Sequence, residues 1–139
     1  YGIKGDKVYD QILDCLIPFN QDWAKNAQAL LVTAYKKTNF DGDPYFHAPH
    51  DLGLFMGNVV IQANHNGIAA HQMGGIDQEK AHKTFEFTDD FEVATAVALG
   101  HYGGKPDRLP EELQEQEVDP KRERMAIDEF AFNGNFKSK

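Results

Sequence analysis

The stretch DLGLFMGNVVIQANHNGIAAHQMGGID, residues 51–77, decides the architecture. Its first part repeats apolar side chains at Leu52, Phe55, Met56, Val59, Val60 and Ala63, and these intervals of three and four predict a helix over residues 50–66. Gly53, Gly57 and Ile61 form a second, slim stripe on that helix. Glycine weakens a helix, so two of them one turn apart make sense where another backbone comes close. The pattern therefore predicts a central helix packed between a sheet and another helix. Asn66-Gly67 suits a helix end in left-handed geometry, and residues 68–71 then read as a short strand. At residues 72–77, QMGGID, paired glycines interrupt the strand, and Asp77 caps a helix from residue 78 to about 85.

Toward the N-terminus, Val8, Ile12, Leu13, Leu16 and Ile17 predict one short helix over residues 8–19, which Pro18 stops. A solvated turn at residues 20–22 follows, and then a compact apolar run with central Val32 and Thr33 that predicts a buried strand over residues 29–35. Residues 36–49 read as a long polar loop around Asp41, Gly42, Asp43 and Pro44. Toward the C-terminus, FEVATAVALGH at residues 91–101 predicts a second strong strand, with a helix as the alternative its alanines allow, and residues 109–117 a short helix or loop. Beyond Pro120 comes a basic run, Lys121, Arg122 and Arg124, and then Ile127, Phe130, Phe132 and Phe136. Those terminal apolar residues need a covering surface, which a tail finds on a partner chain.

A length of 139 residues suits one domain over residues 1–139, and the balance of 14 basic against 22 acidic residues leaves a net charge of −8. That sign argues against nucleic acid or an anionic membrane as partner. A single cysteine, Cys15, excludes a disulfide within the chain, and no apolar window is long enough to cross a bilayer. A soluble, cytoplasmic protein is the expectation. Residues 2–7 read as a surface connection behind Tyr1, so a preceding segment is expected as well.

Few side chains are arranged for nucleophilic or metal chemistry. His47 and His50 lie near Asp43 and Asp51, but no third ligand is fixed by spacing and no HExxH pattern occurs, so they read as ordinary polar residues. His71 reads as a hydrogen-bonded structural residue, with proton transfer as the alternative. The only serine is Ser138, and Cys15 shares the apolar spacing of Ile12 and Leu16, which marks a core thiol. Asp89-Asp90 and Glu111-Glu112 read as solvated loop carboxylates. Gly74-Gly75 is more informative, because two residues without side chains let a flat ligand approach the backbone N–H groups. A plain turn is the competing reading, since no GxGxxG fingerprint is present. Arg122 and Arg124 suit one phosphate or, equally, a solvated charge run.

In chain order, WAKNAQALLVTAY, the residue 51–77 block with HQMGGID, the strand ending LGHYGGKP and the late RERMAIDEF segment resemble the flavin-dependent nitroreductase family, from Trp23 to about Phe136. The resemblance implies an α+β fold of three layers, α/β/α, with a mostly antiparallel sheet and a C-terminal tail that swaps onto the partner of a homodimer. FMN would sit at the subunit interface, and the helix at 50–66 would join the dimer core. Gln72 and Met73 would lie against one side of the flavin, Gly74 and Gly75 would offer backbone N–H groups to N5 and O4, and Arg122 and Arg124 would approach the phosphate. NAD(P)H would deliver hydride to N5, and a nitroaromatic, quinone or related electron-poor small molecule would then accept reducing equivalents in a ping-pong sequence, with no protein nucleophile. The family's N-terminal phosphate and ribityl grip, about sixty residues by that comparison, has no counterpart in this sequence. Reductive dehalogenation or alkene reduction is an alternative within the same chemistry. A non-catalytic flavin-binding or structural dimerisation fragment is an alternative outside it, and a metal-dependent hydrolase is a third.

Overall fold

The computed structural model describes residues 1–118, 121 and 123–136. The chain runs β1 (Gly2–Ile3), α1 (Lys7–Asp14), α2 (Pro18–Ala24), β2 (Ala29–Lys36), α3 (Ala48–His65), β3 (Ala69–Met73), α4 (Gln78–Thr84), β4 (Phe91–Gly100) and α5 (Glu111–Val118). One turn of 3-10 helix precedes α5 and another follows it. The strands form one sheet in the order β1-β2-β4-β3, and every neighbouring pair is antiparallel. The result is a mixed α/β fold in which helices flank a central antiparallel sheet.

Strand alternation sends side chains to two different layers. Leu30 pairs with Ala98, and Met73 with Ala96; these four join Tyr9, Ile12, Leu16 and Ala24 in one buried cluster beneath α1, α2 and α4. Val97, between Ala96 and Ala98, points the other way, and α3 packs on β2 and β3. The β2–β4 register shifts between Thr33 and Ala34, where the Thr33 and Thr95 hydroxyls lie 2.8 Å apart.

One helix boundary and one strand boundary correct the sequence reading. Residues 8–19 are not one helix: α1 ends at Asp14, and Pro18 opens α2 instead of closing α1. Proline suits the first helical position because its missing N–H would have no intrahelical acceptor there. The residues 20–22 read as a solvated turn therefore lie inside α2, with Asn20 buried. The Tyr9 hydroxyl donates to the carbonyls of Ala24 (3.1 Å) and Ala27 (2.9 Å), tying α1 to the end of α2. The second correction concerns β3, which continues through Gln72 and Met73 before the glycines, because Gln72 pairs with Val97 and Met73 with Ala96.

The central helix is close to expectation, with Gly67 at φ +71° behind it and Ile68 N–H donating back to Ala63 at 2.9 Å. Its surroundings are not. Met56 and Ala48 are buried, whereas Leu54, Phe55 and Ile61 are 58 %, 61 % and 70 % exposed, and a Cβ built at Gly53 or Gly57 would meet nothing within 4 Å. The close approach expected at those glycines is thus not made by any of the described residues.

Asp6 caps α1 by accepting from the amides of Ile3 (2.9 Å) and Tyr9 (2.6 Å), and those bonds hold its carboxyl below the ordinary carboxylate range. A depressed folded-state value contributes stability above the ordinary range and loses it as pH falls through the folded value. Asp6→Ala should accordingly be less stable than the parent near neutrality, with the gap closing on acidification. Urea midpoints of both proteins across that range check this, and a gap that stays constant would contradict it.

Candidate functional site

β3 delivers the glycine turn. Met73 is 2 % exposed and packs in the core, so its side chain offers no surface to a ligand. Gln72 is exposed, as is Gly74. A Cβ built at Gly74 would meet nothing within 4 Å. Gly75 differs: a Cβ there would lie 2.5 Å from Asn20 Nδ2 and 2.6 Å from Ile17 Cδ1. One glycine leaves open space outside the chain, and the other lets α2 press against the turn.

Both ends of the turn are fastened. The Gly75 carbonyl accepts from Ile17 N–H (3.1 Å) and from the Asn20 side-chain amide (3.0 Å). Ile76 N–H donates to Gly74 O at 3.0 Å, Asp77 N–H donates to Cys15 O at 2.8 Å, and Ile76 bridges to Leu16. Among the described residues, none accepts a hydrogen bond from the N–H of Gly74 or Gly75. Two backbone donors without an acceptor, one on exposed Gly74 and one on half-buried Gly75, between two anchored ends can serve an acceptor-rich planar ligand.

The other candidates lie elsewhere. Arg124 is exposed and donates from Nη1 to Glu123 O at 2.6 Å, with no hydrogen bond or ion pair to residues 72–75. Arg122 lies outside the described residues. Cys15 is fully buried, and burial pushes its thiol up, the wrong direction for a nucleophile. His71 is exposed, its ring tilted 59° to that of Trp23 with centroids 4.6 Å apart. Among the described residues, no three His, Cys, Asp or Glu side chains converge as a metal site would need, and no helix is long and apolar enough to cross a membrane.

Three surface clefts accompany this turn without including Gly74 or Gly75. One of about 420 Å³ lies between Trp23, His71 and the 101–109 loop, and one of about 510 Å³ lies between the 38–45 loop and α3. In the latter, Tyr45 donates its hydroxyl to Asp51, raising the phenol and lowering the carboxyl. The third, near Lys37 and His82, is more polar.

The nitroreductase family model matches residues 9–101, from within α1 through the end of β4 and across the glycine turn. This chain belongs to the nitroreductase family. The matched region begins ahead of Trp23, where the sequence resemblance starts, and ends before Arg122 and Arg124. A solved structure described as an oxidoreductase containing FMN is 30 % identical, with a TM-score of 0.90 over 99 % of this chain and 70 % of that one. A nitroreductase family protein from Clostridium difficile 630 shares the fold at 16 % identity, with a TM-score of 0.66 over 96 % of this chain and 72 % of its own. An uncharacterized 15.4 kDa protein from Mycolicibacterium smegmatis is 33 % identical over 90 residues, which is 65 % of this chain and 59 % of that protein. The present chain thus spans less than two thirds of that relative's length.

Asn20 is the residue that sequence reasoning missed. Its spacing of three from Trp23 was the available signal, since that interval puts a polar side chain on the face of a large apolar one.

Proposed function

We propose that this chain forms the greater part of an FMN-dependent oxidoreductase that carries reducing equivalents from NAD(P)H to an electron-poor small molecule, a nitroaromatic or quinone. The carrying observation is the pinned glycine turn with two unused amide donors and open space at Gly74. Family membership and the likeness to an oxidoreductase containing FMN support the reading.

The residues present fit such a group at its ring end. Gly74 leaves room for a plane to approach the backbone, the Gly74 and Gly75 amides are free to donate to ring acceptors, and the exposed Gln72 side chain lies beside them. Met73 supports the same strand from beneath. Bound FMN supplies reversible transfer of two electrons between a nicotinamide and an acceptor. The chain's part is to hold fixed donors where negative charge accumulates on reduction, so that no reorganisation is needed at that moment. Arg122 and Arg124 are proposed for the phosphate, where a guanidinium forms short, charge-assisted bonds.

A ligand on so open a turn needs a second wall. That requirement, with the uncovered stripe on α3 and the exposed Phe130 and Phe136, supports a homodimer in which the partner closes the site and receives the C-terminal tail.

The test is to titrate the protein with FMN, desalt it and record the visible spectrum, then follow anaerobic bleaching by NADH and NADPH and reoxidation by a panel of acceptors. Retained flavin that a nicotinamide bleaches is expected; failure to take up FMN overturns the proposal. Arg124→Glu should weaken FMN binding at least about tenfold, since it replaces a charge-assisted donor with a repelling carboxylate. Its only described bond is to a neighbouring carbonyl, so the fold should not suffer. Isothermal titration with FMN beside a melting curve measures both, and unchanged affinity removes Arg124 from the phosphate site.

A further inference from the structure

We infer that Asn20 is a positioning residue for the glycine turn, holding the Gly75 carbonyl inward so that the Gly74 and Gly75 amides stay turned outward toward a ligand. This role rests on the flavin reading above and adds a residue from a different helix to it.

The geometry is specific. Asn20 is 9 % exposed, so its amide has few routes to water and must be satisfied within the protein. Trp23 Nε1–H donates to Asn20 Oδ1 at 3.4 Å, which leaves the NH2 group to face Gly75 O at 3.0 Å. Ile17 N–H meets the same carbonyl at 3.1 Å. Two donors at the start of α2, the Ile17 amide at its N-cap and the Asn20 side chain, therefore fix the 75–76 peptide, and with Ile76 N–H bonded to Gly74 O, the Gly74 and Gly75 amides take no part in that network. A backbone donor is useful to a bound ring only if its direction is set beforehand, and here that direction is set by a side chain remote in sequence.

Asn20 has no direct contact with the ligand in this scheme, so the test separates turn geometry from general stability. Asn20→Asp keeps the shape but replaces the donor with a carboxylate facing Gly75 O. Tyr9→Phe is the control, because it removes hydrogen bonds from the other end of α2 without touching the turn. Three quantities are read for the full chain: Ile76 amide hydrogen exchange without FMN, the FMN dissociation constant and the midpoint potential of bound FMN.

In Asn20→Asp, Ile76 exchange should accelerate relative to Ala98 in the sheet core, FMN affinity should fall about tenfold, the loss expected from one hydrogen bond's worth of pre-organisation, and the midpoint should become more negative. Tyr9→Phe should lower the melting temperature and leave all three unchanged. Unaltered Ile76 exchange in Asn20→Asp would show that Asn20 does not hold the turn. Accelerated exchange with FMN affinity and midpoint equal to the parent's would show that the turn is held but does not position donors, and either result overturns the inference. A parent protein that takes up no FMN would overturn the flavin reading and this role together, while the exchange arm still reports whether Asn20 clamps the turn.

Discussion

Gly75→Val should destabilise the protein by about 2–4 kcal/mol, while Gly74→Val, one residue earlier, should leave the fold intact and abolish FMN binding. The neighbours decide the difference. At Gly75 a Cβ would stand 2.5 Å from Asn20 Nδ2 and 2.6 and 2.9 Å from the Ile17 side chain. Ile17 is partly exposed and has somewhere to go, but Asn20 is buried and leaves only by giving up its bond to Gly75 O. Overpacking accounts for about 1–3 kcal/mol of the loss and the broken bond for about 1 kcal/mol more, a large share of a domain's marginal stability. At Gly74 no atom lies within 4 Å of the added Cβ, and its φ is not in the left-handed region, so any L residue is accommodated. A valine there fills the space in front of the amide that a ring would use. Urea unfolding of both variants and FMN titration of the folded one provide the measurement. Gly74→Val with parental FMN affinity would remove the ring from this turn.

The contrast between those glycines also marks the limit of sequence reading. β2, α3, α4 and β4 were legible because their signals are local: an apolar run with β-branched residues, periodic side chains, an Asp77 cap that the structure confirms through its bond to Lys80 N–H at 2.9 Å, and an Asn66-Gly67 stop. Pro18 was misleading because proline ends one helix and begins the next with equal ease, and only the second half of the hairpin, Tyr9 against Ala24 and Ala27, distinguishes them. The glycine pair was legible as a backbone site, yet the division of labour within it was not. What makes Gly75 tight is α2, whose Asn20 sits among polar neighbours that read as solvated, and the carbonyl that buries it is 55 residues away. A contact of that separation leaves no mark on local pattern.

Gly57→Leu on the uncovered stripe of α3 should convert the proposed dimer to a monomer while leaving the chain itself at least as stable as before. Among the described residues nothing stands within 4 Å of the added Cβ, and leucine is a better helix former than glycine by up to about 1 kcal/mol, so a penalty would point to a contact from outside the described fold. Leu54 and Ile61, three and four residues away on the same face, remain 58 % and 70 % exposed beside it, and covering such side chains is worth about 1.5–3 kcal/mol each when complete. Gly53 and Gly57, one turn apart, let a second helix lie close enough to cover them, and a leucine at Gly57 holds that helix off. Sedimentation at several protein concentrations measures the association, and melting curves check that the monomer stays folded. FMN affinity should fall with it, because in the proposed homodimer the open turn then loses the wall of the partner. If Gly57→Leu stays dimeric with unchanged association, this stripe is not the interface, and the space beside Gly74 must be closed from another direction.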